Sequence, residues 1–170
     1  MFGVLIIVSS LNVLAASLPP YGFGASENTI HLDMQGSNTL ISQGDFLGTL
    51  RVHRLNKVIN IYEGETMSNM DKGGGRFSFS GLNQGNTAII GHNRGRTNGF
   101  FIFVKDLREG DLLTLKAGSI TRTYAVSMVY TIDETDFNPL LQFSDNRLTL
   151  VTCVENVPSL RRIAVAIEVQ

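Results

Sequence analysis

From Phe46 onward, short apolar runs at β spacing recur with no long amphipathic helical stretch among them, and this constrains the chain's fold more than any other feature. FLGTLRVHRL alternates as a half-buried strand does, and VINIYEG, TAIIGH, SITRTYAVSMVYTI, RLTLVTC and RRIAVAIEV are rich in the β-branched and aromatic residues that suit a pleated surface. Asn56-Lys57, Gly85, the stretch Leu107-Arg108-Glu109-Gly110-Asp111 and ENVPS punctuate these runs as turns. Between them, residues 65–70 predict one or two helical turns, Gly73-Gly74-Gly75 a breaker, and residues 133–143, with Pro139-Leu140-Leu141, a short helix or structured loop. A chain made of so many strands has many polar edges to hide. Closing the sheet into a barrel removes them, so the expected class is all-β and the expected architecture a closed or nearly closed barrel.

The length of 170 residues and the 43% apolar content suffice for one packed domain, from residue 46 to 170, and leave little for a second. Fourteen basic against 15 acidic residues give a net charge of −1, far from the positive field a phosphate-binding surface needs, so no nucleic-acid partner is expected. Residues 2–18, FGVLIIVSSLNVLAASL, are uncharged and mostly apolar, and Pro19-Pro20 ends them. They read as a membrane anchor or export segment, although shorter than a full spanning helix; the alternative is a hydrophobic arm packed on the domain. Residues 19–45, rich in Gly, Ser and Asn, read as a linker or irregular lead-in.

Cys153 is the single cysteine, which excludes an internal disulfide and a multi-cysteine zinc site. The three histidines, His31, His53 and His92, show no HExxH or similar spacing, so neither a metal nor a cofactor is expected. A lone cysteine is most often a small buried hydrophobe. Cys153, however, closes an apolar run beside a loop, where a strand fixes position and the loop leaves access. His92 closes a second run, TAIIGH, and a barrel can bring both run ends to one rim. A thiol is only a few per cent ionised near neutrality, so a nucleophilic cysteine needs a neighbour such as an imidazole, which can also protonate a leaving amine. Arg161 opens the last run; its rigid, permanently charged donors suit a carbonyl oxygen that becomes an oxyanion. Adjacent strand residues face opposite ways, so only one of Arg161 and Arg162 can face the cysteine.

In these segments the sequence resembles the sortases of Gram-positive bacteria. Leu148-Thr149-Leu150-Val151-Thr152-Cys153 is similar to the family's TLxTC box, Ile90-Gly91-His92-Asn93 to its histidine segment, and Arg161 with Arg162-Ile163-Ala164-Val165 to its arginine strand. Gly48-Thr49-Leu50-Arg51-Val52, Ile61-Tyr62-Glu63-Gly64 and the Leu-x-x-Gly-Asp turn at 107–111 add to the likeness, which spans residues 46–170 and departs at Val52-His53, where many members carry Ile-Pro. The GHNRG form and the short Cys-to-Arg loop resemble class D or a related small class. The resemblance implies a closed mixed β-barrel of about eight strands with short helices in its connections. It implies a cysteine transpeptidase with Cys153 as nucleophile, His92 as acid–base and Arg161 as oxyanion partner, and with Asn93, Arg94, Thr149 and Thr152 near the substrate. The implied substrates are secreted proteins with an LPxTG-like C-terminal sorting signal, passed to an amine of a peptidoglycan precursor or a pilin at the extracytoplasmic membrane face. A hydrolytic thiol peptidase and an inactive peptide-binding barrel are the alternatives.

Overall fold

The computed structural model describes residues 29–32, 38–82, 84–94 and 98–169. A small antiparallel pair, β1 (Thr29–Leu32) and β2 (Asn38–Ile41), precedes the barrel. The weak periodicity of the lead-in does not announce this hairpin. The hydrophobic run 2–18 lies outside the described residues, and among those described no helix is long and apolar enough to cross a membrane.

Eight strands close the barrel: β3 (Phe46–Val52), β4 (Lys57–Glu63), β5 (Gly74–Arg76), β6 (Asn86–Gly91), β7 (Leu112–Ala117), β8 (Ile120–Asp133), β9 (Arg147–Val154) and β10 (Val157–Glu168). Their order around the wall is β10-β8-β7-β3-β4-β5-β6-β9. The barrel is mixed, because β4–β5 and β6–β9 run parallel while the other neighbours are antiparallel. Short helical pieces fill the connections: α1 (Met67–Met70), capped by Thr66, and single 3₁₀ turns at Ile102–Asp106 and Asn138–Leu140. The closed barrel and its short helices agree with the sequence reading.

The glycine run behaves otherwise than expected. Gly74 and Gly75 do not break the chain but form β5, fully inside the wall. A Cβ at Gly75 would lie 2.4 Å from the Gly64 carbonyl oxygen, and one at Gly74 would lie 2.9 Å from Ile89 and Phe101, so only glycine lets these chains approach. The apolar stretch after Gly99 likewise forms a 3₁₀ turn that drops Phe101, Phe103 and Val104 into the core.

Strand alternation divides the apolar residues into two cores. Leu148, Leu150, Ala164, Ala166 and Ile89 point into the barrel with Leu50, Ile61 and Phe101. Their alternates Val151, Ile163, Val165 and Ala88 point outward and are roofed by Leu140 and Phe77. The roof is fastened by Asn86, whose Nδ2 donates to the carbonyls of Pro139 at 2.8 Å and Leu141 at 2.9 Å. Next to β6, buried Arg76 donates to both carboxylate oxygens of Glu63, at 2.7 and 2.6 Å, and to the Ser80 carbonyl, tying β4 to β5.

Candidate active site

Cys153 is exposed on the outer face of β9, the second last residue of that strand. Its antiparallel partner on β10 is Arg161, and paired residues project to the same face. Arg162 pairs instead with Thr152 and faces the other way. Register alone therefore decides between the two arginines.

His92 arrives from the opposite side. The parallel β6–β9 ladder ends at Ile90 and Val151, so one step further sets Gly91 beside Thr152 and two steps set His92 beside Cys153. Two bonds hold this extension. Thr152 Oγ1 donates to the Gly91 carbonyl at 2.8 Å, and Asn93 Nδ2 donates to the Cys153 carbonyl at 2.6 Å. Below them, the Phe101 amide donates to the His92 carbonyl at 2.9 Å. Gly91 is needed there because a Cβ would meet the Phe101 ring at 2.2 Å.

His92 is buried, and its Nε2 lies 3.4 Å from Asp71 Oδ1. Asp71 is the C-cap of α1 and accepts from Asn98 Nδ2 at 2.9 Å. The Arg161 guanidinium is held on its own side. Nη1 donates to the carbonyls of Pro158 at 2.6 Å and Leu160 at 3.0 Å, and Nη2 donates to Glu134 Oε2 at 2.6 Å.

Between Val157 and Arg161 the β9–β10 ladder is interrupted, while the ladder to β8 continues through Leu160 and Asp133. Pro158, Ser159 and Leu160 thus peel away from Cys153, and the wall opens beside the thiol. A groove of about 620 Å³ results, containing His92, Asn93, Arg94, Cys153 and Arg161. Its apolar flanks are Met67, Met70 and Ile90 on one side and Val157 and Pro158 on the other. Glu134 and Glu155 supply its acidic groups. An extended peptide laid there would meet a sulfur, an imidazole and a guanidinium along one line of neighbouring strands.

The family profile described as the Sortase domain matches residues 50–169. The chain belongs to the sortase family. Solved sortases share the fold. Sortase A from Corynebacterium diphtheriae superposes with a TM-score of 0.70 at 22% identity, covering 75% of this chain and 62% of that one. The pilus-related sortase C of Group B Streptococcus gives 0.69 at 22% identity, over 74% of this chain and 68% of that one. Sortase C from Clostridium perfringens SM101 gives 0.69 at 20% identity, over 76% and 73%. At such identities the likeness is one of fold. A comparison with curated protein sequences gives no match.

Of the residues expected at the sortase site, Cys153, His92, Arg161, Asn93 and Arg94 meet at the groove. Thr149 and Thr152 do not. Thr149 is fully buried beneath the roof, where its Oγ1 donates to Asn86 Oδ1 at 2.8 Å, and Thr152 is turned inward onto Gly91. Their hydroxyls are used up by the scaffold, which positions the cysteine strand instead of touching the groove. The sequence reading did not name Asp71, Glu134, Met67 or Met70. No local pattern singles them out, since each comes to the site only through the barrel's register and the lie of α1.

Proposed function

We propose that this sortase domain is a cysteine transpeptidase that cleaves a sorting signal related to LPxTG and passes the acyl group to an amine. The single observation that carries the reading is the shared outer-face row of His92, Cys153 and Arg161, on three adjacent strands beside an open groove. Cys153, as the thiolate that has passed its proton to His92, attacks the threonyl carbonyl carbon, forming a C–S bond and a tetrahedral oxyanion, which Arg161 N–H groups stabilise. Collapse breaks the C–N bond, and the departing amine takes a proton from His92. With Nε2 facing Asp71, Nδ1 is the ring nitrogen for that delivery. A second amine then attacks the thioacyl carbon, the C–S bond breaks, and His92 takes the proton the new amide gives up.

The substrates in this reading are secreted proteins with a C-terminal signal. The acceptor is an amine of a peptidoglycan precursor or a pilin, and the hydrophobic N-terminal run tethers the domain at the extracytoplasmic membrane face. Nearest by motif is class D or a related small class, on the GHNRG segment and the tight connection between β9 and β10. A library of LPxTG-type peptides, followed by intact mass, tests the whole reading. The expected result is a mass increase on Cys153 that is discharged faster by an added amine than by water. Water-only discharge would make the domain a thiol peptidase, and peptide binding without any adduct would make it a recognition module.

A further inference from the structure

We infer that Glu134 is a positioning residue for Arg161, holding the guanidinium where a carbonyl bound at Cys153 can use its remaining donors. The inference rests on the reading of Arg161 as the oxyanion partner and adds a residue to it.

Arg161 pairs with Ile132 on β8, and Leu160 with Asp133. The Glu134 amide donates to the Ser159 carbonyl at 2.7 Å, which carries the β8 ladder one residue further. Strand alternation then puts Glu134 on the face of Ile132 and Arg161, diagonal to the arginine. A diagonal pair is within reach of two long side chains. Glu134 Oε2 accepts from Arg161 Nη2 at 2.6 Å accordingly. On the other flank of Arg161 lies Cys153. The carboxylate and the thiol thus bracket the guanidinium across three neighbouring strands.

Donor arithmetic gives the arrangement a purpose. A guanidinium has five N–H groups in a rigid fork. Nη1 spends its two on the Pro158 and Leu160 carbonyls, and Nη2 spends one on Glu134. What remains is Nε–H and one Nη2–H, and a planar fork held at three points directs both. The carbonyls that take Nη1 belong to the segment that leaves β9 and opens the groove, so the same irregularity exposes the thiol and aims the arginine. Without Glu134 the long side chain recovers rotamer freedom that must be lost again at each acylation.

The test measures single-turnover acylation of Cys153, by intact mass, with the LPxTG-type peptide that loads the unaltered domain fastest. Arg161→Ala is expected to slow acylation by about 10²–10³-fold. Glu134→Ala is expected to slow it by roughly 10- to 100-fold, through the rate at saturating peptide more than through the half-saturating concentration. Glu134→Gln, which keeps an acceptor oxygen, falls between Glu134→Ala and the unaltered domain. In the Arg161→Ala background, Glu134→Ala should add nothing, which a merely structural role would not predict. Thermal melts of all variants confirm folding. Acylation at or above the unaltered rate in Glu134→Ala, with Arg161→Ala impaired, overturns the inference and leaves the catalytic reading standing. An unimpaired Arg161→Ala overturns the arginine's role and this inference with it. A Glu134→Ala defect undiminished in the double variant also overturns the inference.

Discussion

At the scale of single residues, position on a strand determines chemistry more than residue type does. Cys153 and Thr152 are neighbours in sequence, yet one is exposed over the groove and the other is buried in a bond to Gly91. Cys153→Ala should abolish acyl-enzyme formation while changing stability by no more than about 0.5 kcal/mol, as an exposed site requires. Intact mass with peptide, and a urea titration without it, check the two halves. Gly91→Ala makes the opposite kind of demand. A Cβ there overlaps Phe101, whose amide holds the His92 carbonyl, so the ring or the histidine must move. The expected outcome is a destabilisation of about 1–3 kcal/mol together with slowed acylation, read from the same two measurements.

At the scale of elements, two fastenings keep the site's strands where they are. Asn86 joins β6 to the connection between β8 and β9 and accepts from Thr149 on β9. Asn86→Ala removes the donor to the Pro139 and Leu141 carbonyls and the acceptor of Thr149, leaving only the longer Thr149–Pro139 bond of 3.4 Å, and should lower stability by about 1–3 kcal/mol in a urea titration. Glu63 and Arg76 clamp β4 to β5, the neighbour of β6, and both are almost fully buried. Removing the carboxylate takes its ion-pair partner from a buried guanidinium that keeps its bond to the Ser80 carbonyl, so Glu63→Ala should cost about 3–5 kcal/mol. The urea midpoint measures it, and a change below about 1 kcal/mol would show that the other contacts of Arg76, such as the Ser80 carbonyl, suffice for the buried charge. Neither fastening uses a residue placed in the proposed reaction. Both hold the frame on which the reacting groups sit.

At the scale of the whole molecule, pH reaches stability through groups far from the groove. Asp111 accepts from Arg54 and from the Arg108 amide, and the Arg54 hydrogen bond is the main force holding its carboxyl below the ordinary range. Its contribution is complete above the unfolded carboxylate value and is lost as pH falls through the lower folded value. Arg54→Leu should therefore flatten the acid limb of a stability–pH profile. Tyr124, inside the barrel, is pushed by burial up to about 12. Its phenol stays protonated in the folded state when the unfolded phenol has already ionised near ~10. Stability should thus fall as pH rises from the unfolded to the folded value, and Tyr124→Phe should remove that part of the alkaline loss. Thermal melts across pH check both limbs.

By itself the sequence determined the class of fold and marked the strands that carry Cys153, His92 and Arg161, the residues proposed for the reaction. β-branched runs at period two and glycine turns are local signals, and a cysteine or histidine closing such a run is visible without neighbours. Local pattern had no hold on the facing of particular side chains. Thr149 and Thr152 precede Cys153 on the same strand, yet a roof and an inward turn take their hydroxyls away. Glycines that would break an isolated strand form β5 because two backbones must nearly touch there. Strand pattern left Arg161 and Arg162 equivalent until the family resemblance named Arg161, and pairing sets that residue beside Cys153. Asp71 reaches the His92 ring from the C-cap of a four-residue helix, and Glu134 reaches Arg161 along a diagonal across two strands. Such contacts are set by register and closure, which depend on pairing between segments far apart in the chain, so only the tertiary structure decided them.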